Sequence, residues 1–230
     1  MLPIGGIGKL AKKYGIYMMV DAAQTAGIID INMKRDNIDF LCTAGHKSLY
    51  GPFGTGMLLT PHGTHLKTII EGGTGSNSLE LVQPQMMPDR LESGTVNVLG
   101  IAALHEGIKF VNNRGCSQIY HHEMDIIEYI ADELEQLDNV QLYVPVLRGR
   151  SLPVLSFNIK GFTGEQTAAF LNKNGIAVRG GYHCAPLAHK KMGTLEIGTS
   201  RISVGAFNTK SEAENFCSIV KKHCYGLNKS

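Results

Sequence analysis

The chain has 230 residues, 43% of them hydrophobic, and its 22 basic and 20 acidic side chains leave a formal net charge of +2. That is enough for one large core or two small ones, and without a basic run nothing points to nucleic acid or an anionic membrane. The opening MLPIGGIGKL lacks the layout of a signal peptide and no apolar run is long enough to span a bilayer, while five cysteines without a CxxC pair suit the reducing cytosol.

Taken in order, residues 6–14 are predicted as a short helix with Ile7, Leu10, Ala11 and Tyr14 on one face and Gly15 as its stop. Residues 17–20 read as a short buried strand with Asp21 at its carboxyl end. Residues 40–43 read as the next strand, left through Gly45, His46 and Lys47. Two parallel strands ending side by side would bring Asp21 and Lys47 to one sheet edge, where α/β sheets bind ligands. An acid and a lysine there suit a pyridine cofactor. Pyridoxal phosphate needs the amine for its Schiff base and a carboxylate to keep its ring nitrogen protonated. The two residues alone would equally suit an ordinary salt bridge. Gln24, on the turn after Asp21, has an amide able to donate to a ring oxygen.

A strand over 55–60 is expected next, then a glycine-rich loop at 71–76 that lacks the lysine of a P-loop. Thr95 precedes a helix predicted over 98–112, where a hydroxyl can either hold an anion with the free N–H groups or simply cap the helix. Asn113, Arg114 and Gly115 punctuate the chain and divide it into 1–112 and 113–230. In the second part a helix over 117–137 turns Met124, Ile127, Ala131 and Leu134 inward. Strands are expected at 140–144, 154–159, 176–179 and 200–204. Thr163 and Gln166 form a capping box for a helix ending near Asn172. Thr209 and Glu212 cap a last helix that buries Cys217 and Cys224. Cys42 reads as core and Cys116 as a candidate for exposure. His121 and His122 diverge on their helix, so they suit a solvated surface better than a metal. Cys184 is different: it lies in a glycine-rich loop flanked by Arg179 and His183, and Pro186 reads as stopping the turn that follows. Positive charge beside a thiol favours the reactive thiolate.

These segments carry a resemblance. Asp21-Ala22-Ala23-Gln24 with Gly45-His46-Lys47 and the following Leu49-Tyr50-Gly51-Pro52 is similar to the lysine region of the class V aminotransferase family, within the fold-type I pyridoxal phosphate enzymes. The string Arg179-Gly180-Gly181-Tyr182-His183-Cys184-Ala185 resembles the cysteine segment of the SufS-like cysteine desulfurases, as do Ser200-Arg201-Ile202-Ser203 and Phe207-Asn208-Thr209. The resemblance implies an α/β fold: residues 1–112 as the C-terminal part of the large, cofactor-binding domain and 113–230 as a small α/β domain carrying the cysteine loop. It implies removal of sulfur from L-cysteine with release of alanine. Lys47 would hold the cofactor and move the Cα proton, Asp21 would face the ring nitrogen, Gln24 the ring oxygen, and His46 would help place the ring. Thr95 would reach the cofactor phosphate across a homodimer. Arg201 would clamp the substrate carboxylate with Arg179 assisting, and Cys184 would take the sulfur as a persulfide for an acceptor protein, in a cytoplasmic route such as iron–sulfur cluster assembly.

Two departures accompany the resemblance. Family members carry a long segment ahead of this region. The serine common before Gly-His-Lys is Ala44 here, with Thr43 beside it facing the other way on a strand. A selenocysteine lyase, another class V enzyme, or a non-catalytic part working with a separate N-terminal half are the alternatives.

Overall fold

A computed structural model describes residues 1–76 and 79–227. The chain forms two compact units, Leu2–Ser117 and Gln118–Ser230, the second also taking in Met1. In chain order the first unit contains α1 (Ile4–Lys13), β1 (Met19–Asp21), α2 (Met33–Asp36), β2 (Phe40–Ala44), β3 (Gly56–Leu59) and α3 (Val98–Arg114). β1 runs parallel to β2, with Asp21 opposite Cys42, and β2 runs antiparallel to β3, with Ala44 opposite Gly56. The other edge of β1 has no strand beside it among the described residues.

One face of this sheet is covered. Met18, Ala22, Ile38 and Leu41 are buried there, with Ile4 and Ala11 of α1 and Met33 of α2 packed against them. Of the apolar face predicted for α1 only Ala11 packs inward; Ile7, Leu10 and Tyr14 are exposed. The helix instead seats through Gly8, because a Cβ there would run into the backbone carbonyl of Asp36. Side chains alternate along a strand, so the opposite face carries Met19 and Leu58, 62% and 48% exposed, and with them Asp21 and Cys42. Cys42 is consequently half-buried rather than core. α3 runs through Asn113 and Arg114 and breaks only at Gly115, whose φ of 84° suits glycine.

The second unit contains all but the first two residues of α4 (Cys116–Glu135), then β4 (Val140–Leu142), β5 (Val154–Ile159), α5 (Gly164–Lys173), β6 (Arg179–Gly181), α6 (Pro186–Met192), β7 (Thr199–Ser203) and α7 (Lys210–Leu227). Its sheet has the order β4-β5-β7-β6 with every neighbour antiparallel. Met124, Ile127, Ala131 and Leu134 of α4 are buried as expected, and Phe157 of β5 meets Phe216 of α7 edge to face at 5.8 Å. The Thr163–Gln166 capping box is formed, and Thr209 and Glu212 cap α7 reciprocally. Cys217 and Cys224 are buried, and burial pushes the Cys217 thiol up to about 11.

Two elements differ from expectation. β6 begins at Arg179, not Ile176, because the Ile176 N–H is taken by the Leu171 carbonyl as α5 ends. Pro186 opens α6 instead of stopping a turn; proline suits the first helical position, whose N–H has no partner anyway.

Candidate functional site

In the first unit the site is built on the turn that leaves β2. Gly45 N–H donates to Thr55 O at 2.9 Å, Gly51 N–H to Gly45 O at 2.7 Å, and Tyr50 N–H to Lys47 O at 2.9 Å. Glycines let neighbouring backbone close on this turn. A Cβ at Gly27, where φ is 96°, would strike Ser48 O, and one at Gly107 of α3 would strike Leu49 O. The turn is therefore held from two sides by main chain, and Lys47 projects from a stiff base.

Lys47 is half-buried, and its side chain has no ion pair or hydrogen bond among the described residues. The salt bridge that the sequence left open does not form. Asp21 is exposed at the carboxyl end of β1; its Oδ1 accepts from Ala23 N–H at 2.9 Å, which fixes the carboxylate and leaves Oδ2 without a partner among the described residues. Gln24 is exposed on the following turn. His46 is exposed and stacks on Phe53, ring centroids 5.1 Å apart. Thr95 is exposed ahead of α3 and does not cap it, since Asn97 Oδ1 accepts from Gly100 N–H at 3.0 Å. Thr43 Oγ1 is buried without a hydrogen-bond partner, a group that costs about 1–3 kcal/mol when left so.

In the second unit β6, β7 and the loop after β6 gather four side chains. Arg179 and Arg201 are register partners across β6 and β7. Arg179 Nη2 lies 3.8 Å from Cys184 Sγ. Arg201 is half-buried and its Nε is buried without a partner among the described residues. Burial first, and then the Arg179 charge, lower the pKa of its guanidinium, with Cys184 acting the other way. Cys184 is exposed, and it and His183 are consecutive non-glycine residues at positive φ, 60° and 51°. A left-handed residue costs about 1–2 kcal/mol, so this turn has to be held. Ala185 N–H donates to Tyr182 O at 2.9 Å, Tyr182 OH to Leu195 O at 2.8 Å, and His183 Nε2 lies 2.9 Å from Thr199 O.

This arrangement pairs an exposed thiol with two guanidinium groups, one of them holding an unused buried donor. It can bind a carboxylate and present a sulfur nucleophile to it. The support behind it was not read from the sequence. Asn158 is buried and joins β5 to β7, accepting from Ser200 N–H at 3.0 Å and donating to Gly198 O at 2.9 Å. His189 of α6 is buried against Thr194 Oγ1 at 2.8 Å. Proline opening α6 and Gly193 closing it were the available signals for that helix. Among the described residues no cluster of three or more His, Cys, Asp or Glu side chains is arranged to hold a metal ion, and no helix is long and apolar enough to cross a membrane.

The aminotransferase class-V family model matches residues 1–216. A probable cysteine desulfurase of Borreliella burgdorferi is 34% identical, over 94% of this chain and 53% of that protein. One from Pyrococcus abyssi is 31% identical, over 97% and 56%. Among solved structures, the apo cysteine desulfurase of Thermococcus onnurineus superposes with a TM-score of 0.84 at 32% identity, covering 97% of this chain and 56% of that one. A cysteine desulfurase of Escherichia coli superposes at 0.86 with 25% identity, covering 98% and 55%. The chain spans about half the length of the curated relatives it matches.

Proposed function

The chain belongs to the aminotransferase class-V family, and from that premise we propose that it carries the cofactor lysine and the sulfur-accepting cysteine of a pyridoxal phosphate-dependent cysteine desulfurase acting on L-cysteine. The observation that carries the reading is the surrounding of Cys184: an exposed thiol 3.8 Å from Arg179, beside an Arg201 whose Nε is buried and unpartnered.

The residues of the first unit fit pyridoxal phosphate. The Lys47 side chain has no partner among the described residues, and Asp21 keeps Oδ2 free at the end of a parallel strand. Bound there, the cofactor would supply a sink for the electrons left at the substrate Cα. Lys47 Nζ would hold the cofactor and move the Cα proton, Asp21 would keep the ring nitrogen protonated, Gln24 would donate to the ring oxygen, and His46 would help place the ring. Thr95 would hold the phosphate of the cofactor bound by the partner subunit in a homodimer. Arg201 would take the substrate carboxylate with two hydrogen bonds, and Arg179, its Nη2 3.8 Å from Cys184 Sγ, would assist at the cysteine loop. Cys184 thiolate attacks the substrate sulfur: an S–S bond forms, the C–S bond breaks with its electron pair going to carbon, and a proton completes alanine. The persulfide then passes to an acceptor protein in the cytoplasm, a supply suited to iron–sulfur cluster assembly.

A visible absorption spectrum with added pyridoxal phosphate, beside Lys47→Ala, tests the cofactor site. A band that needs Lys47, and alanine release that needs Cys184, support the reading; a spectrum identical in both chains sinks it for this chain acting alone. A second reading has its own observation, the open sheet face with Met19 and Leu58 exposed. In that reading the chain is active only with a further polypeptide covering the face, and no Lys47-dependent band forms until that polypeptide is added.

A further inference from the structure

His183, next to the reactive cysteine, has no part in the chemistry above. Its Nε2 lies 2.9 Å from Thr199 O and 3.1 Å from Thr199 Oγ1. A carbonyl oxygen only accepts, so Nε2 carries a proton and donates it. Nδ1 is buried with no partner. In the neutral ring that atom is a bare lone pair; in the imidazolium it would be a buried N–H with nothing to receive it, the costlier of the two. The charged groups around the ring act in the same sense. Burial is the largest influence lowering the pKa of His183, and Arg201 from β7, His189 from α6 and Arg179 from β6 add to it, against the Thr199 hydrogen bond. The ring is therefore the neutral Nε2–H tautomer.

The acceptor does not give way. Thr199 begins β7 between Gly198, whose carbonyl takes Asn158 Nδ2–H, and Ser200, whose N–H goes to Asn158 Oδ1 and whose Oγ donates to Gly164 O at 2.6 Å. A Cβ at Gly164 would overlap the Thr199 backbone, so α5 is pressed against the same point. At the other end of the hydrogen bond stands the first of two consecutive left-handed residues, and the second is Cys184.

We propose that His183 is a positioning residue for Cys184: the donation from its Nε2–H to Thr199 O holds the 183–184 turn in its left-handed form and thereby sets the thiol beside the Arg179 guanidinium. The role attributed to the thiol rests on the desulfurase reading, but the tether is testable without that chemistry.

The test is the rate of iodoacetamide alkylation at Cys184, followed by peptide-resolved mass spectrometry on the 230-residue chain at pH 7.5 without cofactor. His183→Ala slows alkylation by about three- to tenfold, as a thiol loses its cationic neighbour. His183→Gln, which keeps a donor near the place of Nε2 and does not titrate, stays within about twofold of the parent. In an Arg179→Gln background His183→Ala adds no further loss, because both changes remove one and the same proximity. Nitrogen NMR of the unsubstituted chain shows His183 protonated at Nε2 through neutral pH, a readout that does not depend on any variant folding. Alkylation of His183→Ala at the parent rate, an equal slowing in both arginine backgrounds, or an Nδ1–H tautomer each overturns the tether. Desulfuration that survives Cys184→Ser while the tether results hold would sink the sulfur-accepting role of Cys184 alone.

Discussion

Arg179 and Arg201 stand opposite each other on neighbouring antiparallel strands, each the other's register partner, with neither forming a salt bridge among the described residues. Like charges directly opposite on a sheet destabilise it by a few tenths of a kcal/mol to about 1 kcal/mol. The pair makes physical sense around an anion that both guanidinium groups can reach.

Arg201→Gln is expected to leave the melting midpoint within about 1 kcal/mol of the parent, because the lost group has an unused Nε and a like-charged neighbour. On the desulfurase reading, the KM for L-cysteine is expected to rise by about 10- to 100-fold, the worth of a charge-assisted pair to a carboxylate. Paired melts and initial rates check both halves. Severe destabilisation with an unchanged KM would make Arg201 a structural residue.

The glycines around the lysine turn give a second expectation. Gly107→Ala and Gly27→Ala each drive a Cβ into the backbone of the Ser48–Leu49 stretch, and Gly27 also sits at positive φ. Each is expected to cost about 2–4 kcal/mol, with loss of the Lys47-dependent band. Gly6 is the control: nothing lies within 4 Å of a Cβ there, so Gly6→Ala in α1 is expected to stabilise by about 0.5–1 kcal/mol and leave the band alone. Denaturant melts with the absorption spectrum decide it.

Ala44 ends β2 where the family commonly has a serine, and Ala44→Ser returns a hydroxyl one residue before Gly45. A single added hydrogen bond to phosphate is worth about 0.5–1.5 kcal/mol, so cofactor affinity is expected to tighten by about two- to tenfold in a titration followed by absorbance. Weaker binding would mean that this hydroxyl does not face the phosphate.

Acid is expected to loosen the first unit through Asp36 and Asp39. The Arg35 guanidinium, helped by Asn32 N–H, holds the Asp36 carboxyl below the usual range, and Met18 N–H, helped by His62, does the same for Asp39. A carboxylate with a depressed folded-state pKa contributes stability that is complete above its unfolded pKa, about 4, and is lost as pH falls through the lower folded value. Stability should therefore be flat from neutral pH down to about 4–5 and fall below that, and Asp39→Asn should flatten the acid limb. Urea midpoints across pH 2.5–7 check it; an unchanged limb in Asp39→Asn would contradict it.

The residues that chemistry demands were the most legible in the sequence. Asp21 ends β1 and Lys47 lies on the turn that leaves β2, where residue type and spacing say most, and the Thr163–Gln166 capping box is local by nature. The face of α1 was misread because periodicity shows which side is apolar, not which side finds a neighbour, and Gly8 rather than Ile7 or Leu10 meets Asp36. Pro186 was read as a stop because the same residue serves both ends of structure. The bonds of Asn158 and His183 to 198–200 come from register across strands 16 to 42 residues apart, which no local pattern records. Left-handed backbone at His183 and Cys184 has no signature either, since neither residue is glycine.

The bare edge of β1 bears on how a molecular mass measured for this chain is interpreted. Unpaired strand N–H and C=O groups are a template for another strand, and exposed apolar side chains beside them strengthen the contact. Two copies zipped along β1 would weigh the same as two copies sharing phosphate contacts through Thr95, and light scattering would not tell them apart. A lysine at Met19 would unzip the first pairing through charge repulsion and leave the second standing. Counting subunits becomes informative about this chain only after that strand has been silenced.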